Sequence, residues 1–110
     1  ILSEKSGNDE CHQVIQEETA DAIVQMMSEV MKNGTGASAK LHNFAAGKTG
    51  SAEAFDDGEV VVHGWFTGFF PVETPKYTIT VLIENGETGS KSALPVFQEI
   101  TQYLRSKIVF

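Results

Sequence analysis

The chain has 110 residues, 15 of them acidic and 8 basic, for a formal charge of −7. That length suffices for one small domain around one core. The acidic balance excludes the basic face that nucleic acids require and any electrostatic attraction to an anionic membrane. With 41% apolar and 21% charged residues, the composition is that of a globular protein and not of a disordered one. The single cysteine, Cys11, has no internal disulfide partner and reads as a free thiol, and no Cys/His cluster has metal-ligand spacing. Neither a metal nor a cofactor is expected. No apolar run approaches the roughly 18 residues that span a bilayer. The chain opens on Ile1-Leu2-Ser3-Glu4-Lys5, which has no signal-peptide character, and it reads as a piece of a longer protein.

Residues 1–34 hold seven acids and two bases, and residues 35–110 hold eight and six, so the negative charge is concentrated early. Residues 1–16 read as a poorly defined lead-in, with a turn at Ser6-Gly7-Asn8-Asp9-Glu10. A helix is expected over 17–33. Glu17, Glu18 and Asp21 complement the positive end of its dipole, and Thr19 is the residue type that caps. Ala20, Ile23, Val24, Met27 and Met31 recur at helical spacing, and Asn33-Gly34 supplies a stop. A loop of small residues follows, and the hydrophobic period then changes from 3.6 to 2.

Three antiparallel strands are expected between 44 and 84. The first runs from Phe44 to Ala54, and Asp56-Asp57-Gly58 turns it into a hairpin. The second, Val60 to Phe70, places Val60, Val62, Gly64, Phe66, Gly68 and Phe70 on one face and Val61, His63, Trp65, Thr67 and Phe69 on the other. Two apolar faces predict a strand covered on both sides, and the glycines predict close approach of another element. Lys76 to Glu84 forms the third strand. Ser92 then caps a last helix over 92–105, with Pro95 in its first turn and an apolar stripe of Leu94, Phe97, Ile100, Tyr103 and Leu104 beside Ala93. The fold class is α+β: a partial antiparallel sheet of three strands flanked by two helices.

Gly47-Lys48-Thr49-Gly50-Ser51 is the stretch richest in chemistry. On a strand, Lys48 and Gly50 point to one face while Thr49 and Ser51 point to the other. An extended peptide can pair with such a strand, and Gly50 lets it come close. Lys48 supplies positive charge for a carboxylate, and a backbone N–H can serve an oxyanion. No base stands near enough in this stretch to activate a nucleophile. Other polar and aromatic residues read more simply. His63, Trp65, Phe66, Phe69 and Phe70 belong to packing, as do Met26, Met27 and Met31. Asp56, Asp57 and Glu59 belong to a solvated turn.

Lys-Thr-Gly by itself arises by chance in roughly one chain in forty of this length. Here it lies in an ordered series: Asn33-Gly34-Thr35-Gly36 after a helix, Ala46-Gly47-Lys48-Thr49-Gly50-Ser51-Ala52-Glu53, Trp65-Phe66-Thr67-Gly68-Phe69-Phe70-Pro71, and Ala93-Leu94-Pro95 in a last helix. From about Val14 to Leu104 the chain resembles the penicillin-binding protein transpeptidase family, of class B more than class A, in the superfamily of serine β-lactamases and transpeptidases.

The resemblance implies the C-terminal part of that fold. It implies a parent that cross-links peptidoglycan stem peptides by D,D-transpeptidation through a serine acyl-enzyme, at the extracytoplasmic face of the membrane, and that β-lactams inhibit covalently. It gives Lys48 a place beside the nucleophile's hydrogen-bond network. Thr49 and Ser51 would offer hydroxyls to a carboxylate, the backbone N–H of Ser51 would form half of the oxyanion hole, and the strand around Gly50 would hold the peptide. The family's Ser-x-x-Lys is absent, since no serine of the chain has lysine three residues on, and its Ser-x-Asn is read as absent too. The segment alone is therefore expected not to acylate, and to self-associate through sheet surface left uncovered. The alternative is a non-catalytic relative that binds peptide or senses β-lactams.

Overall fold

The computed structural model describes residues 10–110. The turn expected at Ser6–Glu10 and the early lead-in fall, except for the residues from Glu10 onward, outside the described residues. Helix α1 (Glu17–Lys32) leads through a short 3-10 turn (Ala37–Ala39) into strands β1 (Ala46–Asp56), β2 (Glu59–Phe70) and β3 (Tyr77–Ile83), and helix α2 (Ala93–Lys107) follows. Thr19 is not the cap of α1. The helix starts earlier, behind an extended Gln16 at φ −74° and ψ 153°, with Glu17 and Glu18 in its first turn. Two carboxylates facing the helix dipole stabilise that start without a side-chain cap. At the other end the Asn33 and Gly34 N–H groups return to the carbonyls of Glu29 and Val30, which closes the helix where the sequence places its stop. Met31 is fully buried, whereas Met26 is exposed, because α1 meets the core with its last turn.

The sheet order is β1-β2-β3, both pairs antiparallel. Asp56 pairs with Glu59, leaving Asp57 (φ 50°) and Gly58 (φ 80°) as a two-residue loop. Two successive positive φ values define the tight hairpin turn that Asp-Gly favours. β1 begins two residues later than its apolar pattern suggests. The N–H groups of Phe44 and Ala45 both bond to the carbonyl of Leu41, so Phe44 sits on a turn and packs its ring 5.5 Å from that of Phe70. β3 pairs with β2 only from Gly64 to Phe70, so the far half of the β1–β2 hairpin projects as a two-stranded arm with Phe55 82% exposed.

Register fixes what lies on each side of the sheet. Gly47, Gly68 and Ile79 form one cross-strand row, and Thr49, Phe66 and Val81 form the next. This side is covered: Phe66 and Phe70 are fully buried, with the Phe97 ring of α2 at 4.6 Å and 6.1 Å from theirs. The glycines do admit close neighbours. A Cβ at Gly68 would lie 2.7 Å from the Phe97 ring, and one at Gly64 would strike the Ser92 hydroxyl. Burying each of these phenylalanines contributes about 2–3 kcal/mol.

Lys48, Thr67 and Thr80 form a row on the opposite side, and Gly50, Trp65 and Leu82 another. The expectation of cover on both faces fails here, since Trp65 is 40% exposed and Thr80 and Leu82 are exposed. Two helices supply one layer, and among the described residues it lies on the phenylalanine side. The stripe of α2 also differs from its expected course. Thr101 is buried while Tyr103 is exposed, because the face runs through positions 94, 97, 101 and 104, with the i, i+3, i+4 spacing of a helix. Ser92 stands at the N-cap without capping; its hydroxyl donates to the Thr88 carbonyl at 2.8 Å.

Candidate functional site

β1 is an edge strand, so one side of its backbone has no strand partner among the described residues. The Lys48–Ser51 stretch lies on that edge. Lys48 is exposed, and its Nζ donates to the Thr49 carbonyl at 2.8 Å, which folds the ammonium back along the strand. Thr49 is half-buried and shares a 2.6 Å hydroxyl–hydroxyl hydrogen bond with Thr35. That bond ties β1 to the Asn33-Gly34-Thr35-Gly36 segment, whose glycines keep the loop tight against α1: the Gly36 N–H reaches the Val30 carbonyl at 3.0 Å. Two parts of the ordered series are thus brought into contact. Ser51 accepts a hydrogen bond at Oγ from the Gly89 N–H at 3.2 Å, so its hydroxyl hydrogen remains free to donate.

A shallow groove of about 350 Å³ runs along the open side of this stretch, lined by Lys48, Gly50, Trp65, Thr67 and Thr80 among others. Thr67 and Thr80 bond to each other at 2.9 Å. Larger hollows lie beside Phe44 and Phe110 (480 Å³) and beside Val62 and Lys91 (380 Å³). Size does not choose between the three. Only the smallest combines an ammonium, hydroxyls, a glycine and a free strand edge, the combination that recognises an extended peptide carboxylate. The site departs from the sequence reading in two places. Trp65 lines the groove instead of packing in the core. Thr35 reaches the site through its bond to Thr49, and its place in the ordered series before a glycine was the available signal. The expectation that Ser-x-Asn is absent is wrong: Ser6-Gly7-Asn8 has the spacing that accompanies Lys-Thr-Gly in this superfamily, and it lies outside the described residues.

His63 does not face this site as a base. Its Nδ1 accepts the Asn85 N–H at 3.1 Å, the kind of partner that fixes an imidazole as a structural acceptor. Among the described residues no group of three or more His, Cys, Asp or Glu side chains could hold a metal ion. Cys11 is exposed.

The pattern of the penicillin binding protein transpeptidase domain matches residues 5–102. The peptidoglycan D,D-transpeptidase MrdA of Haemophilus influenzae is 34% identical over 85 residues, which cover 64% of this chain and 13% of that protein. Stage V sporulation protein D of Bacillus subtilis is 34% identical over 96 residues, covering 80% of this chain and 15% of the relative. Among solved structures, a peptidoglycan synthetase from Bifidobacterium adolescentis superimposes with a TM-score of 0.78 at 27% identity, over 94% of this chain and 20% of its own. The chain therefore spans well under a quarter of the length of these relatives. With the family pattern running through α1, all three strands and most of α2, this chain belongs to the penicillin-binding protein transpeptidase family.

Proposed function

We propose that this chain is the part of a serine D,D-transpeptidase domain that follows the nucleophile and presents the peptide-binding strand. The parent cross-links peptidoglycan stem peptides through a serine acyl-enzyme on the extracytoplasmic side of the membrane, and β-lactams trap the same serine. The observation that supports this reading most is the free edge of β1. It sets Lys48, Thr49, Gly50 and Ser51 in one extended run, with Thr49 clamped to Thr35 at 2.6 Å. An extended stem peptide pairs with that edge, and Gly50 lets its backbone approach. Lys48 brings positive charge to the nucleophile's surroundings, Thr49 and Ser51 offer hydroxyls to the substrate carboxylate, and the Ser51 N–H donates to the developing oxyanion. The nucleophilic serine comes from outside these 110 residues, since none of the chain's serines precedes a lysine by three. No described helix is long and apolar enough to cross a membrane.

Intact mass of the full-length protein after incubation with penicillin tests the reading, with the 110-residue segment as control. One adduct on the full-length protein and none on the segment is the expected result. No adduct on either favours a non-catalytic peptide-binding relative, and an adduct on the segment places the nucleophile within it and overturns the assignment. In the isolated segment the sheet face carrying Trp65 and Leu82 is exposed. The isolated segment self-associates through that face, and a monodisperse monomer in sedimentation velocity counts against this.

A further inference from the structure

The loop between β3 and α2 is fixed at both ends. At its start the Asn85 N–H bonds to His63 Nδ1 at 3.1 Å, and the Gly86 N–H bonds to the Val62 carbonyl at 3.0 Å. At its end the Gly89 carbonyl accepts the Leu94 N–H of α2 at 2.9 Å, and the Thr88 carbonyl accepts from Ser92. Between these ties Gly89 is buried directly against β1 and β2. A Cβ there would run into the carbonyl oxygen of Trp65 and lie 2.5 Å from the Gly50 oxygen and 2.9 Å from the Gly50 nitrogen. These are backbone atoms and cannot swing aside as a side chain does. Gly89 is not among the residues with positive φ, so its backbone conformation suits any residue. Closeness alone calls for glycine.

We infer that Gly89 is a positioning residue for the Gly50–Ser51 stretch, an assignment that rests on the transpeptidase reading above. Its N–H holds Ser51 Oγ as an acceptor at 3.2 Å, which leaves the Ser51 hydrogen free for a ligand carboxylate. Its bare Cα sets how far Gly50, and with it the Ser51 N–H, sits toward the substrate. The loop is tied on both sides, whereas β1 is an edge strand. The clash of an added methyl group with the Trp65 oxygen falls on central β2, held by a strand on each side, whereas the contacts with Gly50 push on β1, the strand freer to yield. The Ser51 N–H then misses the position where the oxyanion forms, and misplacement on the ångström scale is costly to reaction rate.

The test uses the full-length protein and a fluorescent penicillin, with acylation resolved into the dissociation constant of the initial complex and the first-order acylation rate. Gly89→Ala lowers the first-order rate about 10- to 100-fold with a smaller change in the dissociation constant. Leu104→Ala removes a side chain that packs against the core at the far end of α2, and it acylates at the parent rate despite a lower melting temperature. His63→Ala, which releases Asn85 without adding bulk, slows acylation roughly two- to fivefold, and His63→Gln, which keeps an acceptor, restores it. The inference is wrong if Gly89→Ala acylates within twofold of the parent, or if Leu104→Ala slows as much as Gly89→Ala does. Should Gly89→Ala not fold, equal rates for the two His63 variants overturn it as well. A parent protein that takes up no penicillin sinks the functional reading and this inference together, whereas a parent that acylates beside an unaffected Gly89→Ala sinks the inference alone.

Discussion

The two faces of the sheet do different work. On the covered face Phe66, Phe70 and Phe97 are fully buried and join Met31, Leu94 and Val81 in one cluster. On the open face the same three strands present Lys48, Thr67, Thr80 and Trp65, with no ring or helix laid over them among the described residues. Strand alternation makes this separation possible, because adjacent residues such as Thr49 and Lys48 belong to different environments. Folding energy is therefore concentrated on one side and candidate chemistry on the other and along the β1 edge. Substitutions on the two sides should separate stability from activity.

The widest separation is expected between Phe97→Ala and Lys48→Ala. Phe97 is fully buried and touches both Phe66 and Phe70, so its truncation loses burial energy and leaves a cavity. The cost is about 3–5 kcal/mol, read from denaturant unfolding of the full-length protein. Lys48 is exposed, and its side chain bonds to the neighbouring Thr49 carbonyl. Lys48→Ala changes stability by less than about 0.5 kcal/mol yet slows penicillin acylation about 100-fold, the scale on which loss of a transition-state charge partner is felt. Equal losses of stability for both variants would show that the faces are not independent.

The sequence made the covered face easier to read than the open one. Helical spacing of Leu94 and Phe97, alternation through Phe66, Gly68 and Phe70, and Asp57-Gly58 between two apolar runs each have one dominant physical reading, and the structure follows it. Trp65 was harder, because its alternating neighbours His63 and Thr67 fit a half-covered strand as well as a buried one. Whether a second layer exists is set by chain that pairs from elsewhere, and no local pattern records it. Thr101 was missed for the opposite reason: threonine reads as polar, while its place on α2 is decided by the arc that Leu94 and Phe97 begin. The Lys48–Ser51 site was legible as a motif, but its partners were not. Thr35 lies 14 residues away and Gly89 lies 38 residues from Ser51, and contacts across such separations depend on tertiary packing.

Thr101 offers a second way to sharpen the contrast, from within the covered face. Its Oγ1 is buried with no hydrogen-bond partner among the described residues, and an unmet hydroxyl in an apolar setting costs about 1–3 kcal/mol. Thr101→Val keeps the shape and removes the hydroxyl. The variant should be more stable by about 1 kcal/mol or more in the same unfolding measurement, with acylation unchanged. A loss of stability would mean that the hydroxyl finds a partner in solution.

The smallest effect belongs to the open face. Thr67 and Thr80 face each other across β2 and β3 and share a 2.9 Å hydroxyl bond. The pair is exposed in the segment, so water replaces whichever partner is removed. A cross-strand pair of this kind couples by about 0.2–1 kcal/mol. Thr67→Val, Thr80→Val and the double variant, compared as a cycle, should give a coupling in that range in the isolated segment. The full-length protein makes the comparison informative. If the remainder of the domain lies over this face, the same pair becomes desolvated there, each single variant strands one hydroxyl away from water, and the coupling rises above the value for the segment. Equal couplings in the two proteins would mean that the Lys48–Thr67–Thr80 row stays in contact with water throughout, and that the face is a groove open to ligand instead of a buried seam.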